Sequence, residues 1–171
     1  MRRGCYPGSF DPLTVAHLAI AEAAVQQCAL ARLDLVLSRN ALGKEAHASP
    51  LPERVAAIAR AGATRPWLGV VVTDAQLLAD LARGYDVLVV GADKWHQLHD
   101  VSFYGGSAEA RDAAMARLPG VACAPRAGVA PPETPGITVL DLAPWVGAVS
   151  STGARKGAVE WIAPEARDPE S

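Results

Sequence analysis

The sequence predicts a single Rossmann-like α/β domain, a doubly wound parallel sheet with helices on both faces. Three observations predict it. Short apolar runs alternate with helix-length stretches along the 171-residue chain. Two of those runs, Val70-Val71-Val72 and Val87-Leu88-Val89-Val90, are continuous, the pattern of parallel strands buried on both faces. The first run ends in a Gly/Pro turn that opens directly into an Ala-rich helix, as a strand-to-helix unit requires.

Taken in order, the strand candidates are Gly4 to Tyr6, Leu33 to Leu37, Leu68 to Val72, Asp86 to Val90, Val121 to Ala124 and Ile137 to Leu140. Between them, Leu13 to Leu30 carries Leu18, Ala21, Val25 and Cys28 at helical spacing. Pro52 to Ala61 opens with proline in its first turn and presents Val55, Ile58 and Ala59. Thr73 is a candidate cap for a helix from Asp74 to Arg83 that Gly84 would end. Ser107 is a candidate cap for Ala108 to Leu118, and a last helix is expected near Thr152. Ser38 to Leu51 is a polar stretch after a strand, the position of a substrate loop, and Ala127 to Gly136 reads as an irregular surface loop. The domain is expected over residues 1–162, with 163–171, rich in proline and acids, as a flexible tail.

Composition narrows the function classes. Half the residues are hydrophobic and a fifth are charged, which excludes a disordered chain. A net charge of −2 gives no global attraction to nucleic acid or to an anionic membrane, so any nucleotide must be held by a local site. Cys5, Cys28 and Cys123 are too scattered for a disulfide framework or a zinc cluster and read as reduced, buried residues. No apolar run reaches the ~18–20 residues of a membrane span, and Pro7-Gly8 interrupts the N-terminus before a signal-peptide core forms. A soluble cytoplasmic protein is expected. Trp67, Trp145 and Trp161 are candidates for core or for a homo-oligomer contact, and the sequence leaves the two open.

The chemistry concentrates in Tyr6-Pro7-Gly8-Ser9-Phe10-Asp11-Pro12-Leu13-Thr14-Val15-Ala16-His17. In an open α/β sheet ligands bind at the carboxyl ends of strands, where loop amides and a helix N-terminus favour an anion. Thr14 and His17 stand three residues apart on one side of the first helical turn, aiming a hydroxyl and an imidazole at whatever the loop holds. Near the other end, Thr152 and Arg155 of Ser150-Ser151-Thr152-Gly153-Ala154-Arg155 share a helix face, and arginine adds a fixed charge with a planar donor fork.

These blocks resemble the signatures of the nucleotidylyltransferase superfamily. Gly8-Ser9-Phe10-Asp11-Pro12 with Thr14-x-x-His17 is similar to its phosphate-binding signature, and Val149 to Arg155 to its I-S-S-T-x-x-R motif. Gly91-Ala92-Asp93 resembles the G-x-D motif of the mononucleotide adenylyltransferase branch, whose Asp bonds the ribose hydroxyls of ATP; the plain alternative is a strand followed by a helix that Asp93 caps. The resemblance implies nucleotide contacts at Gly8, Ser9, Phe10, His17, Gly91, Asp93, Arg126, Ser150, Ser151, Thr152 and Arg155. It implies acceptor contacts at Ser9, Arg39 and Lys44, with Trp95 stacking on a substrate ring, and catalytic roles for His17, Thr14, Lys44 and Arg155. Arg54, in Leu51-Pro52-Glu53-Arg54, matches an L-x-E-R helix start of structural character. His96 and His99 are read as exposed or locally bonded rather than as metal ligands.

The implied reaction moves AMP from ATP to a phosphate-bearing acceptor and releases pyrophosphate, with Mg2+ held mainly by substrate phosphates and no protein metal site. Nicotinate or nicotinamide mononucleotide is the leading acceptor. Phosphopantetheine adenylyl transfer, cytidylyl transfer to a small polyol phosphate, and a nucleotide-binding module without turnover are the alternatives. Two departures bear on the acceptor: Ala16 stands where the signature has Gly, and Gly43-Lys44-Glu45-Ala46-His47 replaces a Pro-Pro-His-Lys loop.

Overall fold

A computed structural model describes residues 1–40 and 49–168. Six parallel strands form the sheet: β1 (Arg3–Pro7), β2 (Arg32–Ser38), β3 (Leu68–Thr73), β4 (Val87–Gly91), β5 (Gly120–Ala124) and β6 (Ile137–Val139). Their order is β3-β2-β1-β4-β5-β6, which reverses direction between β1 and β4. That junction opens the crevice in which a doubly wound sheet holds its ligand.

Alternation along each strand divides the core between the two faces. Leu33, Leu35 and Leu37 of β2 join Tyr6, Val87 and Val89 on one side, beneath α1 (Val15–Gln27) and α2 (Leu51–Gly62). Val36 joins Cys5, Leu88, Val90 and Cys123 on the other, beneath α3 (Leu78–Leu81) and α4 (Ala92–His99), with α5 (Ala108–Ala116) outside them. Cys5, Cys28 and Cys123 are buried free thiols. Asp34 on β2, beside Cys5 on β1, is fully buried and is matched by Arg3 at 3.2 Å, Arg32 at 2.7 Å and the Tyr85 hydroxyl at 2.9 Å.

All six strand candidates form strands, whereas two readings of the helices change. The helix expected over Asp74 to Arg83 shrinks to α3, because the Thr73 hydroxyl accepts from the Ala75 amide in a turn and Leu77 is still extended at ψ 137°. The chain does stop near Gly84, which adopts φ 84°. After β4 a helix begins at once at Ala92, with Gly91 and not Asp93 as its N-cap. The last helix, α6 (Ser151–Arg155), begins beside Thr152 as expected and is capped by Ser150.

The tail is packed where the structure describes it. Ala163 is fully buried and its amide donates to the Leu13 carbonyl at 2.9 Å. Glu165 pairs with Arg65 at 2.8 Å, while Arg60 donates to the Glu165 carbonyl. Burial opposes the Glu165 charge, but its hydrogen bonds and Arg65 win, holding its carboxyl below the ordinary range. Composition alone misses such anchoring, since it depends on where α2 ends in space.

Candidate active site

The loop from β1 into α1 forms one wall of an open cleft of about 670 Å³ at the sheet's reversal point. Thr14 caps α1: its hydroxyl accepts from the His17 amide at 3.3 Å, and its own amide donates to His17 Nδ1 at 3.0 Å. This reciprocal capping box has histidine where glutamate or glutamine usually stands. Its chemical consequence is definite. An Nδ1 that accepts a backbone N–H carries no proton in the neutral ring, so the proton sits on Nε2.

The ring is further held by Phe10, edge-on at 4.9 Å between centroids, and by Tyr6 at 6.2 Å. Phe10 adopts φ 48°, a left-handed conformation unfavourable for a bulky side chain, and its ring is almost wholly buried. The loop accommodates that ring only because residue 8 is glycine: a Cβ there would lie 2.8 Å from the ring's Cζ. Phe10 therefore supports His17 as much as it borders the cleft.

The second wall is α6 and its cap. The Ser150 hydroxyl accepts from the Gly153 amide at 3.0 Å, and Arg155 reaches the Thr152 hydroxyl at 3.3 Å, as their shared helix face implies. Two bonds tie this segment to the first loop: Ser151 donates to the Pro12 carbonyl at 2.9 Å and the Arg155 guanidinium donates to the Asp11 carbonyl. Residues some 140 positions apart thus form one hydrogen-bonded frame. Gly153 packs beneath Trp161, where a Cβ would come within 2.4 Å of the indole, so Trp161 is a structural wedge behind α6.

The floor between these walls comes from the ends of β4 and β5. Gly91, Asp93, Lys94, Ala124 and Arg126 line the cleft, with Ala16 and Gly147. Asp93 folds back over Gly91, its Oδ1 lying 2.7 Å from where a Cβ would stand. Ala16 is buried, so the methyl that departs from the signature lies on the cleft wall. The Tyr6 hydroxyl is raised well above its ordinary range by burial, with Asp93 adding to the effect, and stays protonated. Among the described residues no group of three or more His, Cys, Asp or Glu side chains is placed to hold a metal ion; the hard oxygen donors lining the cleft are Asp11 and Asp93.

A narrower cavity adjoins the cleft across Pro7, Gly8 and Ser9. Its far walls are Leu77, Leu78, Leu81, Leu98, Phe103 and Tyr104. Ser38 and Arg54 line it near the loop. Arg54 is buried, and its guanidinium donates to the Ser9 carbonyl at 2.9 Å and to the Ser49 carbonyl at 3.1 Å. The structural character expected of Arg54 thus takes a specific form, a brace for the loop between β1 and α1.

Gly8, Ser9, Phe10, Thr14, His17, Gly91, Asp93, Arg126, Ser150, Ser151, Thr152 and Arg155 all line the one cleft. Two expected acceptor residues do not reach either cavity. Trp95 is buried in the core between β4 and α5 and meets His99 edge-on at 4.8 Å, because its position on α4 faces the sheet. Arg39 forms a surface pair with Asp74 at 3.2 Å. Lys44 lies outside the described residues. His96 bonds the Ala130 carbonyl and His99 the Trp95 carbonyl, local contacts of the kind expected for them. Lys94, which borders both cavities, follows the Gly91-Ala92-Asp93 block and is not among the residues that the sequence motifs single out.

The profile of the cytidylyltransferase-like family matches residues 5–155. Two solved structures share the architecture. One is a Plasmodium falciparum nicotinic acid mononucleotide adenylyltransferase complexed with NaAD, at 16% identity and TM-score 0.62, covering 91% of this chain and 83% of that one. The other is a Plasmodium falciparum nicotinic acid mononucleotide adenylyltransferase complexed with APC, at 15% identity and TM-score 0.65, covering 97% and 92%. No curated protein matches the chain. The chain belongs to the cytidylyltransferase-like family of nucleotidyltransferases, and its fold is the Rossmann-like one that the sequence predicts.

Proposed function

We propose that this nucleotidyltransferase moves AMP from ATP to a phosphate-bearing acceptor with release of pyrophosphate, nicotinate or nicotinamide mononucleotide being the first acceptor to test. One observation carries the reading: the His17 capping box and the Ser150–Arg155 turn are hydrogen-bonded into a single frame around one cleft. The acceptor phosphate, largely dianionic at pH 7 because its second pKa is about 6, attacks the α-phosphorus. A new oxygen–phosphorus bond forms, the bond to the bridging oxygen breaks, and pyrophosphate leaves with the electron pair. No general base is required.

The protein's work is positioning and charge stabilisation. His17 Nε2–H donates to the α-phosphate region, with Thr14 fixing the ring. Ser150, Ser151, Thr152 and Arg155 hold the leaving pyrophosphate, and Gly91 and Asp93 take the ribose. Asp11 and Asp93, the carboxylates lining the cleft, would hold the waters of a Mg2+ ion brought in by the triphosphate, and that ion would supply charge neutralisation at the phosphates. The mononucleotide class is supported by Gly91-Ala92-Asp93 and by the names of the two Plasmodium falciparum structures.

A second acceptor class is favoured by the leucine- and aromatic-walled cavity beside Ser9, which suits the extended, uncharged chain of a phosphomonoester such as phosphopantetheine. We place the protein in the cytoplasm; no helix among the described residues is long and apolar enough to cross a membrane. Trp145, half exposed, is the candidate for a homo-oligomer contact.

The test is magnesium-dependent pyrophosphate release from ATP and from CTP across both mononucleotides, phosphopantetheine and small polyol phosphates. Release from ATP with a mononucleotide is expected. Release with phosphopantetheine selects the second class, and release from CTP with a polyol phosphate overturns adenylyl transfer. ATP binding with no release across the panel overturns the catalytic reading in favour of a binding module.

A further inference from the structure

We propose that Lys94 is a catalytic residue of this site, its ammonium meeting the phosphate groups where the nucleotide cleft and the acceptor cavity join. The inference rests on the reading that the cleft holds ATP and the adjoining cavity the acceptor. Four residues border both spaces: Pro7, Gly8, Ser9 and Lys94. The first three present the end of β1; Lys94 faces them from the first turn of α4, across the point where the sheet order reverses. Of the four it alone bears a charge, so it is the cation at the boundary through which the transferred group must pass.

The surroundings of the amine point the same way. Lys94 is half-buried, and its Nζ donates to the neutral Gln97 Oε1 at 3.0 Å rather than to a carboxylate. Asp93, its neighbour in sequence, is exposed and turned back over Gly91. Burial lowers the ammonium from its ordinary 10.5, with Asp93 opposing the effect. A partly desolvated cation matched by a single neutral amide is poised for an anion. In the reaction two phosphate chains of like charge must be brought together, and a fixed positive charge between them strengthens as their charges approach.

The experiment uses the full chain with Lys94→Met and Lys94→Arg. Lys94→Met is expected to lower kcat by about 10²–10³-fold. Its melting temperature should stay close to wild type, and its affinity for α,β-methylene ATP should fall only a few-fold, because His17 and Arg155 hold the triphosphate elsewhere in the cleft. Lys94→Arg should recover much of the rate. The basic limb of the wild-type kcat/KM profile, which reports the free enzyme, should lie below pH 10.5 and move out of range in Lys94→Arg, since arginine stays charged.

A second arm needs no turnover. Lys94, one of three lysines with Lys44 and Lys156, is mapped by amine acylation and peptide mass analysis, and its labelling should fall at least about tenfold with α,β-methylene ATP bound. Wild-type turnover of Lys94→Met, or a rate loss that simply follows loss of folding, overturns the catalytic role. Labelling unaffected by the analogue overturns the contact itself. A silent wild-type enzyme in which Lys94 is still protected overturns the proposed reaction and leaves Lys94 as a nucleotide contact.

Discussion

The polar cleft and the apolar cavity share the Pro7-Gly8-Ser9 rim, yet they are made differently. The cleft is built from contiguous segments whose local geometry does most of the work: a capping box, a glycine under an aromatic ring, a serine-capped helical turn. The cavity is assembled from single side chains of α3, α4 and the turn at residues 101–104, which no short motif encodes. On the proposed reading, reaction chemistry resides in local backbone architecture and acceptor choice in tertiary packing. A family can hold the first constant while the second changes.

The sharpest way to break that division is His17→Ala. Turnover should fall about 10²–10³-fold from loss of the Nε2 donor. The capping box is lost as well, costing ~0.5–2 kcal/mol of stability, so urea unfolding run beside the kinetics separates the two effects. A rate within a few-fold of wild type would remove His17 from the chemistry.

Arg54→Met probes the brace between the two regions. Losing charged hydrogen bonds to the Ser9 and Ser49 carbonyls should cost about 3 kcal/mol in urea unfolding. It should also slow turnover about tenfold by loosening the loop. Unchanged kinetics in a destabilised variant would mean that the loop holds its shape without the brace.

Leu78→Ala should separate the regions cleanly. The KM of the acceptor is expected to rise about tenfold with that of ATP unchanged, as for a lost apolar contact in one pocket. A matched rise in both would show that the cavity is not a separate acceptor site.

The smallest effect belongs to the strands behind both regions. Burial pushes the Cys5 thiol up to about 12 and the Cys123 thiol to about 11, and raises Cys28. These thiols stay protonated at pH 8 and gain thiolate only as pH climbs toward those values, so a thiol reagent should label the native protein very slowly and the urea-unfolded protein fast. Rapid native labelling would contradict the closed core.

What was legible in the sequence follows the same division. The six strands, the Thr14–His17 pairing and the Thr152–Arg155 face are set within a few residues of each other, and periodicity or spacing is enough to find them. Trp95 lies in the core and not toward the cleft, because motif proximity says nothing about which face of α4 meets the sheet. Arg39 is drawn off by Asp74 from 35 positions away, and Arg54 is aimed at Ser9 from 45 positions away. Neither partnership leaves a local trace. The anchored tail is a third case, since Ala163 and Glu165 are ordered by Leu13 and Arg65 at the far side of the chain.

The most direct test of the account is a crystal structure of the full chain with α,β-methylene ATP and Mg2+. The account predicts the α-phosphate at His17 Nε2, the β- and γ-phosphates on the Ser150–Arg155 turn, the ribose at Asp93, and the leucine-lined cavity beside Ser9 left open for the acceptor. A triphosphate bound away from His17 and Arg155, or an adenine ring occupying that apolar cavity, would contradict it.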